Sequence, residues 1–150
     1  MVRLDFIYGV PGSGKTSLCN AIDAAFYLNL AKSDNYGKNR FLDIFIELYQ
    51  ANKGYSYYIA EACLTNCNIE KRTKLIKALA KEIKADIVNV FYINIDYDDV
   101  KDLIKRRGLK TKQYNQILTK VQIGCNNVNH YIIFEKKLDD RVNFIKGVQV

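Results

Sequence analysis

The chain has 150 residues, 49% of them apolar, with a formal net charge of +7, one histidine and four cysteines. That length supports one ordinary domain with a real core rather than two. No apolar run approaches the ~18 residues that span a bilayer, and the first one leads straight into a glycine-rich loop, which is not the pattern of a cleavable signal. The expectation is a single domain over residues 1–150, cytoplasmic and without membrane attachment. The thiols of Cys19, Cys63, Cys67 and Cys125 are expected reduced, because disulfide frameworks belong to secreted chains. Cys63 and Cys67 with the lone His130 fall short of the paired ligands of a zinc site.

In chain order, Arg3 to Tyr8 reads as a short buried strand. A helix starts near Lys15 and continues through Leu18, Ala21, Ile22 and Ala25 at helical spacing. Phe26 to Leu30 fits either a last helical turn or a short second strand, and residues 33–37 carry turn chemistry. Phe41 to Gln50 is an amphipathic helix ended by Asn52-Lys53-Gly54. Tyr55 to Ala60 is aromatic and β-prone, a third strand, with Tyr57 facing one side and Tyr58 the other. Asn68 to Lys84 is helical, with Ile69, Leu75, Ile76, Leu79 and Ile83 on one face and Lys71, Arg72 and Lys74 on a solvated one. Ile87 to Ile95 is a β-branched strand. Asp96 to Arg107 is a helix whose first turn is acidic, where the macrodipole favours negative charge. Thr111 to Ile123 forms another helix, Tyr131 to Phe134 a last strand and Leu138 to Ile145 a closing helix.

Strands alternating with helices give right-handed βαβ units. The expected fold is α/β: a three-layer P-loop NTPase/kinase architecture with a mostly parallel sheet and a helical lid. The sheet has five strands, or four if Phe26–Leu30 is helical. Ligands in such sheets sit at the carboxyl ends of the strands. The loop at Gly9, Glu61 and Asp96 fall there.

The loop itself, Gly9-Val10-Pro11-Gly12-Ser13-Gly14-Lys15-Thr16, fits the Walker A pattern between a strand and a helix. Its glycines let successive amides face one anion, and the helix that follows adds its own unpaired N–H groups. Gly9, Pro11, Gly12, Ser13, Gly14, Lys15, Thr16 and Ser17 are the expected binding residues for ATP or another nucleoside triphosphate. Lys15 neutralises the β- and γ-phosphates, Thr16 is placed to ligate Mg2+, and Glu61 is a further candidate for the metal.

No base-reading N/T-K-x-D element of a GTPase is present, and the chain is short for a motor or helicase. A kinase is the simplest class, with a basic lid over about residues 103–114 closing on the phosphates. Lys105-Arg106-Arg107-Gly108 lies where such a lid belongs, and either arginine could stabilise the transferring phosphoryl group. No acidic residue occurs between Asp102 and Glu135, whereas Lys105, Arg106, Arg107, Lys110, Lys112 and Lys120 do. Such a surface attracts polyanions.

Four stretches make the chain resemble the kinase domain of the phage polynucleotide 5′-kinases, among the small P-loop phosphotransferases. They are Gly9–Ser17, similar to that family's phosphate loop; Lys32–Tyr36, similar to its segment bearing an acidic residue; Leu103–Lys110, similar to its lid; and Tyr58–Ala62 with Asn68–Arg72, similar to the strand and helix lining its acceptor site. The resemblance spans about residues 1–123. It implies ATP- and Mg2+-dependent transfer to the 5′-hydroxyl of a nucleic acid, with Asp34 accepting the hydroxyl proton and Lys15 and an arginine of the pair Arg106 and Arg107 acting on phosphate. This chain departs in having Glu61 where that family has an aspartate and Gly37 where it has an arginine. No phosphatase part follows, so the expectation is a kinase alone. Heavy use of Lys, Ile, Asn and Tyr suits an AT-rich coding genome and hints at a phage or other virus, which would place the protein in host cytoplasm. The alternatives left open are a kinase of a small metabolite or nucleoside, and a nucleotide-dependent switch or binding module without transfer chemistry.

Overall fold

The computed structural model describes residues 1–32, 40–64, 67–108 and 122–148. Its elements are β1 (Arg3–Tyr8), α1 (Lys15–Ala21), β2 (Phe26–Leu28), a 3-10 turn (Leu30–Lys32), α2 (Phe41–Gln50), β3 (Tyr57–Ala62), α3 (Ile69–Ile83), β4 (Ile87–Ile93), α4 (Tyr97–Arg107), β5 (Asn129–Ile133) and α5 (Leu138–Gly147). The strands form one sheet in the order β2-β3-β1-β4-β5, and every pairing is parallel. From β1 the chain goes out to β2 at one edge, returns to β3 beside β1, and then crosses to β4 and β5 on the other side. The order therefore reverses around β1, and the crevice at its carboxyl end is where such sheets take their ligands.

Period-two alternation along β1 divides the core. Leu4, Phe6 and Tyr8 face a cluster with Ile44 and Phe45 of α2 and Ile76, Leu79 and Ile83 of α3. Ile7 faces the opposite cluster with Leu18 and Cys19 of α1 and Ile145 of α5. This gives the three layers expected. Fully buried side chains such as Phe6 and Phe45, whose rings meet edge to face at 5.7 Å, each contribute about 1.5–3 kcal/mol of transfer energy.

The structure moves several boundaries. α1 stops at Ala21 because Ile22 leaves helical geometry (φ −89°, ψ 85°), and Phe26–Leu28 is a strand, paired with β3. β3 begins two residues later than expected. Gly54 turns the chain at φ 103°, Tyr55 is spent donating its N–H to the Tyr58 hydroxyl, and the register then pairs Arg3 with Tyr57 and Tyr8 with Ala62. β4 ends at Ile93, and β5 covers Asn129–Ile133, leaving Phe134 exposed. Tyr58 joins the α2/α3 cluster and Tyr57 packs against the other, on opposite faces. The turn at 33–37 and nearly all of the expected helix at 111–123 lie outside the described residues.

One reading is overturned. Arg72 is not on a solvated face: it is fully buried, while its neighbours Lys71 and Lys74 are exposed. Its Nη1 donates to Gln122 O (2.5 Å) and Gly124 O (2.8 Å), its Nη2 to Leu64 O and Cys67 O (both 3.3 Å). Its guanidinium stacks 4.2 Å from the Tyr8 ring centroid. The planar fork matches several backbone acceptors at once, which an ammonium could not do. The sequence reading sets Arg72 on the face opposite Ile69 and Ile76, and the structure buries it. Charge alone suggested that it faced water.

Candidate functional site

The phosphate loop joins β1 to α1 at the sheet's reversal point. Ser13 and Lys15 are buried, Thr16 and Ser17 exposed. Gly12 and Gly14 hold φ of 80° and 93°, a region that side chains resist. At Gly14 space is short as well: a Cβ there would meet Arg141 Nη1 at 2.8 Å. Lys15 Nζ reaches back across the loop to Gly9 O (3.1 Å), Val10 O (2.9 Å) and Ser13 Oγ (3.5 Å). The ammonium is thereby held against the loop's own carbonyls. A cavity of about 240 Å³ is lined by Gly12, Gly14, Lys15, Thr16 and Ser17.

Because β3 lies directly beside β1, the carboxylate near its end comes over α1. Thr16 Oγ1 donates to Glu61 Oε1 at 3.1 Å, and the Tyr27 hydroxyl donates to the same oxygen at 3.0 Å. Burial and the Glu61 charge push the Tyr27 pKa up, so the hydroxyl stays protonated and remains a donor. A hydroxyl and a carboxylate 3 Å apart beside a phosphate loop are the oxygen donors magnesium uses, one or two from protein and the rest from phosphates and water. Among the described residues no group of three or more His, Cys, Asp or Glu is arranged to hold a metal ion. Tyr27 was missed from the sequence because Phe26–Leu30 could be read as helix, which would point it elsewhere.

A second cavity, about 310 Å³, opens on the other side of the loop between α4 and the start of α5. Gly12, Ser13 and Gly14 form one edge, Asp99, Asp102 and Arg106 of α4 another, and Lys136 and Arg141 a third. Lys136 crosses from one wall to the other through ion pairs with Asp96 (2.9 Å) and Asp99 (3.7 Å), which raise its pKa. Arg106, one of the two expected lid arginines, is thus brought to the cavity, on an exposed helical face. Arg107 ends α4, and its side chain lies outside what is described. Asp34, the expected proton acceptor, also lies outside the described residues, as do Lys110, Lys112 and Lys120.

Arg141 was not singled out by sequence, where it is one basic residue in a helix that also carries Asp139 and Asp140. No local signal marks it. Cys19 is buried below the loop, and burial raises its pKa well above the ordinary thiol value, so it is an inert thiol and not a nucleophile. Cys63, Cys67 and Cys125 are free as well.

Fold and loop together define a P-loop NTPase with a nucleotide-binding site. The sequence matches the AAA domain family over residues 4–146, nearly its whole length, and the chain belongs to that family. No curated protein shows significant sequence similarity to it. Solved structures share the fold, among them the following two. The crystal structure of APE1195 superposes with a TM-score of 0.59 at 11% identity, covering 99% of this chain and 97% of that one. Kti12 from Chaetomium thermophilum, solved in complex with ADP-AlF3, gives 0.60 at 12% identity, covering 95% and 97%. Among the described residues no helix is long and apolar enough to cross a membrane.

Proposed function

We propose that the chain is an ATP- and Mg2+-dependent P-loop kinase whose acceptor is the 5′-hydroxyl of a nucleic acid. The observation that carries the transfer chemistry is the placement of the Thr16 hydroxyl and the Glu61 carboxylate 3.1 Å apart at the open end of the phosphate loop. Phosphoryl transfer needs positioning and charge neutralisation more than covalent help from the protein. The loop amides and Lys15 supply both for the β- and γ-phosphates, Lys15 exchanging the carbonyls of Gly9 and Val10 for phosphate oxygens. Thr16 and Glu61 are the residues that would hold magnesium, which supplies charge neutralisation between those phosphates. Tyr27 fixes the Glu61 carboxylate in place. Arg106 stands on the cavity wall from which a cation can follow the charge that develops on the moving group.

The acceptor rests on sequence: the resemblance at Lys32–Tyr36, with Asp34 in the role of proton acceptor, and the acid-free basic stretch after Asp102, suited to a polyanionic backbone. A second reading is favoured by membership of the AAA domain family: an ATP-hydrolysing module that works on a partner without transferring phosphate.

One experiment separates them. Purified protein is given γ-labelled ATP with a 5′-hydroxyl oligonucleotide, the same oligonucleotide already 5′-phosphorylated, a nucleoside, or no acceptor. Label is expected on the 5′-hydroxyl oligonucleotide alone, and Asp34→Asn should lower that labelling by roughly 10²–10⁴-fold with nucleotide binding little changed. Hydrolysis indifferent to any acceptor supports the second reading. Labelling of the nucleoside in preference to the oligonucleotide would replace the nucleic acid with a small acceptor.

A further inference from the structure

Among the described residues, Arg141 is the basic side chain most closely tied to the phosphate loop from outside it. Its Nη1 donates to Ser13 O at 2.8 Å, while its Nε donates to Glu135 O at 2.7 Å. The guanidinium therefore bridges two backbones, the apex of the phosphate loop and the segment leaving β5. It is half-buried, and desolvation lowers its pKa against the opposing charges of Asp99 and Glu135. Both hydrogen bonds go to carbonyls, so the charge is held in the wall of the 310 Å³ cavity rather than spent on a carboxylate bonded to it. The fit is tight on the loop side: Arg141 Nη1 occupies the space a Gly14 side chain would need.

These contacts have a consequence for binding. A phosphate loop works by aiming its N–H groups at one point, and the Ser13 carbonyl belongs to the peptide unit whose N–H is that of Gly14. In a trans peptide the N–H points opposite to the C=O, so with Ser13 O bonded to Arg141 the Gly14 N–H points away from Arg141, and Gly14 lines the phosphate cavity with Gly12 and Lys15. The peptide units on either side are held from within, Ser13 N–H by Val10 O (3.2 Å) and Gly14 O by Leu18 N–H (3.0 Å), while Gly12 and Gly14 leave the unit between them the most backbone freedom.

We infer that Arg141 is a positioning residue for nucleotide binding, which fixes the apex of the phosphate loop through the Ser13 carbonyl and anchors it to the β5–α5 segment. The inference rests on the nucleotide-binding site itself and not on the identity of the acceptor. A loop set from behind acts on the phosphates common to ADP and ATP, so both nucleotides depend on it equally.

The test measures the affinity of ADP and of ATP by calorimetry, together with thermal unfolding with and without nucleotide, for the wild-type protein, Arg141→Gln and Arg141→Lys. A charged hydrogen bond of this kind corresponds to about a 10–100-fold change in affinity. Arg141→Gln should lose that much for ADP and ATP alike and show a smaller rise in Tm on adding ADP. Arg141→Lys should lose nearly as much, because an ammonium cannot bridge Ser13 O and Glu135 O together. Full affinity in Arg141→Lys would show that charge alone matters and overturn the positioning role. Loss confined to ATP would place the side chain on the γ-phosphate instead. A lowered Tm without nucleotide, at unchanged affinity, would reduce Arg141 to a structural tie. If Arg141→Gln does not fold, Arg141→Lys carries the same distinctions. Acceptor labelling plays no part in the readout, so failure here and failure of the kinase reading are distinguishable.

Discussion

Thr16 at the start of α1 and Glu61 near the end of β3 are 45 residues apart in sequence and share a hydrogen bond of 3.1 Å. The bond exists because β3 pairs with β1 directly, Ile7 opposite Glu61, so the strand that delivers the carboxylate lies against the strand that delivers the loop. Glu61→Gln keeps the shape and the acceptor oxygen for Thr16 and Tyr27 but removes the charge. Turnover should fall by about 10²–10³-fold, with the magnesium concentration for half-maximal rate rising and nucleotide affinity without metal unchanged. Rates measured across a magnesium titration check this. An unchanged magnesium dependence would remove Glu61 from the metal site.

Lys15 is buried, yet its three contacts are with the loop itself rather than with the core. Lys15→Ala should therefore abolish nucleotide turnover, by at least the ~10²–10³-fold seen when one preorganised donor is lost, while circular dichroism and Tm stay close to wild type. Wild-type turnover by a soluble Lys15→Ala protein would refute the role given to the loop.

Arg72 makes the opposite forecast. It is fully buried and holds the buried carbonyl of Leu64 and the part-buried ones of Cys67, Gln122 and Gly124. Arg72→Met removes their donor at once. Each buried acceptor left without a partner costs about 1–3 kcal/mol, part of it recovered by water. A total near 3 kcal/mol would lower Tm by about 6–12 °C in a chain of this size. Arg72→Lys should recover only part of the loss. Thermal unfolding of the two variants decides it, and a Tm within a degree or two of wild type would contradict the buried network.

His130 gives the chain a pH dependence. Its Nε2 lies 2.7 Å from the Tyr8 hydroxyl, which also accepts the Gly124 N–H at 2.9 Å; in the neutral tautomer protonated on Nδ1, Nε2 accepts the Tyr8 proton. Protonating His130 would remove that acceptor, beside Arg72. Burial first, then the Arg72 charge, lower its pKa from 6.5. For a group depressed in the folded state, the stabilisation is present above the unfolded value and lost as pH falls through the folded one. Stability should therefore decline as pH drops below about 6.5. His130→Gln, which offers Tyr8 an amide oxygen that does not titrate, should flatten the decline between pH 7 and 5.5. Parallel Tm–pH curves for the two proteins would exclude His130 as the source.

The sequence by itself determined the phosphate loop and the layered fold, for a local reason. Strand Arg3–Tyr8, the loop and the start of α1 are contiguous, and α2 and α3 announce themselves by periodicity within single segments, α2 to the residue. What depends on strand order was not written locally. Parallel pairing joins residues through crossovers, and only the order β2-β3-β1-β4-β5 brings Tyr27 and Glu61 to Thr16. Arg141 and Arg72 show the same limit. Each is one cation on a helix, indistinguishable from its solvated neighbours until another segment's carbonyls are laid against it. The tertiary structure decided that Arg72 is core and that Arg141 belongs to the phosphate loop, because hydrogen-bond acceptors brought together by packing, not residue type, determine where a guanidinium can be buried.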